Sequence, residues 1–180
     1  MANSRHLQCL LEDGLSAWNT WREACPQIRP DLCGVDLRGR DLQAIILTGA
    51  NLHGADLSGA NLSQAFLFGA NLEGANLSGV QCEGAHFIGA FLERACLARA
   101  DCSHALFLMA HAKYANCTET NFQDADLRDM DFSEANLMNA QFQRADLSGT
   151  TVKGAILEGA FFDGSRGFYG LEKVASRNGR

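Results

Sequence analysis

No apolar run in this 180-residue chain approaches the roughly 20 residues that a membrane-spanning helix needs, so no membrane partner is expected. Positive charge is scarce. Fifteen Lys and Arg stand against 21 Asp and Glu, and the net charge of −6 argues against a nucleic-acid binder, which would show a basic face. His6, His53, His86, His104 and His111 never pair with each other or with cysteine at ligand spacing, so no metal site is expected. Glycine is frequent but follows a five-residue register and builds no phosphate loop. No insertion interrupts that register to form a pocket, and no catalytic constellation stands out. The reading is therefore a non-enzyme with no cofactor and no small-molecule substrate. The N-terminus, MetAlaAsnSerArgHisLeuGln, lacks a basic region followed by an apolar run, so no signal peptide is read there. A reducing cytoplasm is the expected setting.

What the chain has in abundance is repetition. From Pro30 to Gly164 a five-residue unit runs without insertion, centred on Leu32, Leu37 and every fifth residue to Phe162. The 27 centres are 16 Leu, 6 Phe, 3 Cys, one Ala and one Val, and 19 units carry Ala two residues before the centre. Asp or Asn stands just before the centre in 15 units. A period of five fits neither a long helix nor a long strand, and fixed-period self-similarity marks stacked repeats. Residues two apart in extended backbone point the same way, so Ala and Leu both face inward. Asp or Asn between them bonds nearby backbone and favours a turn.

The run AsnLeuHisGlyAlaAspLeuSerGlyAlaAsnLeu (Asn51 to Leu62) resembles the pentapeptide-repeat family. The resemblance implies an all-β solenoid, a right-handed quadrilateral β-helix with four pentapeptides per 20-residue coil. Residues 30–164 then make about seven coils, a rod roughly 30 Å long at strand spacing. Residues 1–29 are read as an N-terminal α-helical cap and connection, and 165–180 as a C-terminal cap or tail in which Phe168, Tyr169 and Leu171 fold over Phe162. The stretch Leu15 to Arg22 resembles a helical cap common in cyanobacterial members of the family.

The cap prediction rests on Leu7, Leu11, Leu15, Trp18 and Trp21, which fall on one helical stripe, with Asn3 or Ser4 as N-cap. Gly14 weakens the middle of that helix, and Pro26 stops it. Arg40 holds an inward position normally given to Ala. Its stem is expected to run through the end of the core, with its guanidinium on cap groups such as helix carbonyls or Glu23.

Positions 20 apart should stack. Phe87 then lies over Phe107, and Phe122, Phe142 and Phe162 form a ladder. Met130 is expected to fill space left by Ala112, the undersized centre. Distance permits a Cys82–Cys102 bond, but parallel neighbouring side chains fit its torsion poorly; Cys25 and Cys33 also lie near each other in sequence. One outward column is apolar: Ile46, Phe66, Phe68, His86, Ile88, Leu106, Leu108 and Met109. A patch of this order marks an interface, for a protein partner or a face-to-face homodimer. Phe91, Cys96, Ile156 and Phe161 look scattered. From Asn116 to Asn136, six carboxylates stand against Arg128 and wrap around the rod. The expected function is a rigid, non-catalytic scaffold. The resemblance offers an alternative, an acidic rod that mimics DNA and protects DNA gyrase from quinolones.

Overall fold

A computed structural model describes residues 3–167. From Asp31 onward the residue before each centre makes a parallel bridge to the residue 20 further on, beginning with Asp31 to Asn51 and ending with Asp146 to Arg166. Twenty residues in five-residue units close a four-sided coil. Each side is held by three hydrogen bonds: the centre and the corner residue two after it donate to the following coil (Leu52 N–H to Asn71 O, 2.7 Å; Gly54 N–H to Glu73 O, 2.9 Å), and the residue before the centre donates to the preceding one (Asn71 N–H to Ala50 O, 2.9 Å). A turn then closes on the centre's own carbonyl (Ala55 N–H to Leu52 O, 3.0 Å), so each side spends little backbone in strand before bending.

Those turns need a left-handed residue two places after the centre. Gly54 supplies it at φ 62°, where no Cβ opposes it. From Arg94 to Arg144, however, every such corner carries a side chain, with φ between 55° and 63°. That conformation costs roughly 1–2 kcal/mol per non-glycine residue. The ladder bonds on both sides hold it, and the rod gains two features: charged side chains on its corners, and one exposed Met109.

Inside, the Leu, Ala and Phe positions form one continuous buried core. Phe87 stacks on Phe107 at 4.6 Å, Phe122 on Phe142 at 5.4 Å, and Phe142 on Phe162 at 5.0 Å. Phe107 meets Phe122 edge-on at 5.7 Å, which joins the two ladders into a single spine. Ala112 and Met130 are both buried. Cys82 and Cys102 stack with sulfurs 2.9 Å apart as free thiols, and Cys25 and Cys33 are free thiols too. Burial pushes the Cys117 thiol well above its ordinary range.

Two helices precede the rod: α1 (Ser4–Leu11) and α2 (Gly14–Ala24). Asn3 caps α1, accepting from the Arg5 and His6 amides. The expected single helix is divided because Gly14 sits at φ 88°. Trp18 is fully buried, while Leu11, Leu15 and Trp21 pack half-buried against the core. The helices satisfy the strand edge that a missing coil would otherwise cover. In interior coils Phe66 N–H donates to Ile45 O and Phe66 O accepts from Leu47 N–H. In the first coil Ile46 N–H donates instead to Asn19 Oδ1 (3.0 Å), and Ile46 O accepts from Trp18 Nε1 (3.0 Å). Asp31 N–H likewise donates to His6 Nδ1 at 3.0 Å.

Arg40 does not take the expected role. It is exposed, because the helices cover Asp31 and Ala44–Thr48 and leave the corner at Arg40 open. Arg22 is the buried guanidinium. It donates to Cys25 O at 3.2 Å, Ile28 O at 2.6 Å and Thr48 O at 3.1 Å. At the other end the ladder reaches Arg166, two residues past Gly164. Gly167 follows, so close to the rod that a Cβ there would collide with the Ser148 backbone. Phe168, Tyr169 and Leu171 lie outside the described residues.

Candidate protein interface

Four columns of outward residues define the four faces. Ile46, Phe66, His86 and Leu106 follow one another in a bridged column, and Asp126 continues it. All four apolar or aromatic positions therefore share one side, as expected. Phe66 is 36% and Met109 57% exposed, while Phe68, His86, Ile88, Leu106 and Leu108 are half-buried by each other. The His86 ring stands edge-on to Phe66 at 5.1 Å and to Phe68 at 5.3 Å, so the three rings make one cluster. Three coil spacings give the column a height of roughly 14 Å. It stops sharply at both ends. α2 bonds the Ile46 backbone, and below Leu106 the Asp126 carboxylate pairs with Arg128 at 2.6 Å.

The next face around the same corner carries a smaller aromatic group that the sequence reading had treated as scattered. Phe91 stacks on His111 at 5.4 Å and 8°. Tyr114 lies below, with Lys113 Nζ 5.0 Å and Arg94 5.7 Å from its ring. A shallow groove opens there between Arg29, Asn51, Asn71, Phe91 and Arg94.

The acidic band is more neutralised than its local sequence implies. Glu119 pairs with Arg99 at 3.0 Å, and Asp124 with Arg144 at 2.6 Å, each partner one coil away. Carboxylates elsewhere serve turns. Asp36 accepts two bonds from the Arg38 side chain and one from its amide, which hold its pKa down at about 2. Bonds from Ser58 lower Asp56, bonds from Ser148 lower Asp146, and the Arg128 and Arg144 guanidinium groups lower Asp126 and Asp124. A carboxylate whose folded pKa is depressed stabilises the fold above its unfolded pKa, near 4, and loses that contribution as pH falls through the folded value. Stability in urea should thus be flat from neutrality to about pH 5 and decline from about pH 4 toward pH 2. A midpoint unchanged across that lower window would contradict the ionised turns.

Among the described residues no group of His, Cys, Asp and Glu is placed to hold a metal ion, and no helix is long and apolar enough to cross a membrane.

No curated protein matches the chain. Among solved structures, a pentapeptide repeat protein of the Arabidopsis thaliana thylakoid lumen is 27% identical over 58% of this chain and 69% of its own, with a TM-score of 0.49. HetL of the cyanobacterium Nostoc, involved in heterocyst differentiation regulation, is 23% identical over 75% of this chain and 84% of its own, TM-score 0.27. QnrB1, a plasmid-mediated fluoroquinolone resistance protein, is 18% identical over 83% of each chain, TM-score 0.43. The family model for pentapeptide repeats matches residues 36–74, 65–101 and 115–154, in eight copies. With those matches spread over most of the bridged rod, the chain belongs to the pentapeptide repeat family, whose fold is a right-handed quadrilateral β-helix.

Proposed function

We propose that this protein is a rigid, non-catalytic scaffold that engages a protein through the column from Ile46 to Met109. The observation that carries the reading is the uninterrupted apolar face on four consecutive coils. Its units 44–50, 64–70, 84–90 and 104–110 contain no Asp, Glu, Lys or Arg. On a chain with 20% charged residues, such a gap over four coils at one side is an interface composition. The rod, of about seven coils, contributes stiffness. The helical pair closes one end, so that edge-to-edge pairing is blocked there and the side face is left for binding.

The test is substitution on the face. Phe66 is 36% exposed and its ring meets those of Phe68 and His86, so Phe66→Glu should leave the unfolding free energy in urea within about 0.5 kcal/mol of wild type; Leu106→Glu, at a half-buried position, is the second variant. Both should abolish self-association in light scattering and partner capture in pull-down. If neither property changes, the face is not an interface and the reading fails. The acidic DNA-mimic reading has less support. Arg99, Arg128 and Arg144 pair with three of the six carboxylates in the band and leave no long acidic face. Unaltered quinolone inhibition in a gyrase supercoiling assay at high protein excess would end it.

A further inference from the structure

An apolar column 14 Å tall on a square rod is small. Four coils at about 4.8 Å and a face of five residues at about 3.3 Å each give a projected area near 300 Å². A stable interface buries about 800 Å² per partner. What meets this face must therefore also engage the chain above and below it, the connection after α2 and the Asp126 coil. These carry opposite signs at one corner. Arg29 overhangs the corner at Gly49, where a Cβ would lie 3.7 Å from its side chain. Four coil steps below Gly49 the same corner carries Asp129, its carboxylate lying along the corner over Gly149, on the face that also holds Asp126 and Arg128, with Asp124 at the opposite corner.

We infer that the occupant of the face is a second copy of this chain, packed antiparallel about a two-fold axis between the Phe66 and His86 coils. The inference rests on the reading of this face as an interface. A two-fold lying across the rods keeps each corner opposite itself and reverses the order of coils. Ile46 then meets the Leu106 coil of the second copy and Phe66 meets its His86 coil, so apolar rows cover apolar rows. Arg29 comes level with Asp129, two and a half coil steps on the other side of the axis, and symmetry makes that pairing twice. Contact extends over six levels, five coils and the connection that carries Arg29, with a projected area of about 470 Å². Side-chain relief brings this into the range of a weak specific dimer.

The parallel alternative gains less on charge. A two-fold along the rods puts each coil opposite its own equivalent, so Asp129 faces Asp124 of the second copy, which Arg144 already pairs, and the Arg29–Asp129 pairing is lost. A heterologous slide along the rod would bury Asp126 against Leu106 or Ile88.

The experiment is sedimentation equilibrium on the full chain across a wide concentration range. The set is wild type, Phe66→Glu, Arg29→Glu, Asp129→Arg and the double variant Arg29→Glu/Asp129→Arg. Arginine is tolerated at position 129, since Arg94, Arg99 and Arg144 hold the same corner conformation with φ 57° to 60°. Each single reversal creates two repulsive pairs per dimer and should raise the dissociation constant roughly tenfold or more. The double variant should return it to within about threefold of wild type, because the pairs are restored with their signs exchanged. A wild type that stays monomeric overturns the second copy as occupant. A dimer that Phe66→Glu abolishes but that the single reversals leave unchanged, or that the double variant does not restore, overturns the antiparallel register and leaves the apolar face as an interface.

Discussion

Replacing Arg22 with methionine is expected to lower stability by about 3 kcal/mol or more, and to release the helices before the rod unfolds. Arg22 is 2% exposed and its guanidinium feeds three backbone carbonyls, those of Cys25, Ile28 and Thr48. Thr48 O lies on the edge of the first coil; its equivalent one coil on, Phe68 O, accepts from Gly49 N–H at 2.9 Å. With a methyl thioether in place of the fork, Ile28 O and Thr48 O lose this donor while Cys25 O keeps the Ile28 N–H at 3.1 Å, and an orphaned buried acceptor costs about 1–3 kcal/mol. The opposing effect is desolvation. Burial disfavours the charged guanidinium and lowers the Arg22 pKa, so methionine recovers part of that cost. Three charge-assisted bonds outweigh it, because the guanidinium stays protonated and all three partners sit at bonding distance. Arg22→Lys should fall between, since an ammonium cannot reach both sides of the connection at once. The readout is built into the chain. Its two tryptophans, Trp18 and Trp21, both lie in α2, so their fluorescence follows the cap while circular dichroism follows the rod. In Arg22→Met the fluorescence midpoint in urea should move ahead of the dichroism midpoint. If the two stay together at the wild-type position, Arg22 does not fasten the cap.

That arginine also shows where the sequence stops being legible. Inside the rod every residue has a coil on each side, so parity along the five-residue unit decides whether a side chain points in. The columns Ile46–Leu106, Phe87–Phe107 and Phe122–Phe162 were readable on that ground together with the 20-residue coil that the family resemblance implies. At the first coil parity loses its meaning, because nothing in the period says where the helices will lie. Arg40 was inward by register and is exposed in fact; Arg22 was outside the register and is buried. The usable signal was on the helix, where Trp18, Asn19 and Arg22 fall close together, two of them polar on a stripe that should be apolar. All three satisfy the strand edge with side-chain groups in place of a missing backbone. The pairing of the acidic carboxylates was illegible for a different reason. A linear window around Asn116–Asn136 finds one arginine, yet the partners of Glu119 and Asp124 stand 20 residues away, at Arg99 and Arg144. Phe91 was set aside in the same way, although His111 follows it at one coil's distance. In a solenoid, many of the neighbours that neutralise or stack on a residue are a full coil away, as Arg99, Arg144 and His111 are.

Truncating Phe122 to alanine should cost about 3–5 kcal/mol, the largest loss expected from any single change in the rod. The ring is fully buried. It stacks on Phe142 at 5.4 Å and meets Phe107 and Phe132 edge-on at 5.7 Å. Alanine at a centre leaves a cavity that the coil cannot close, since the ladder bonds above and below (Phe122 N–H to Gln141 O at 2.7 Å, Asn121 N–H to Ala100 O at 2.9 Å) fix the backbone on both sides. Leucine is the informative control. It fills 16 of the 27 centres, so the fold accepts its shape, and Phe122→Leu should cost only about 1–2 kcal/mol, chiefly the lost ring contacts. Each coil touches only its neighbours, so the defect should also weaken coupling along the rod. A lower m-value in Phe122→Ala, with the C-terminal coils melting first, would report that uncoupling. Urea unfolding of Phe122→Ala, Phe122→Leu and the surface control Phe66→Leu separates the contributions, because the surface change should stay within about 0.5 kcal/mol. If Phe122→Ala costs no more than Phe122→Leu, the coils close over missing volume, and the aromatic spine is filler where a coupling element was expected.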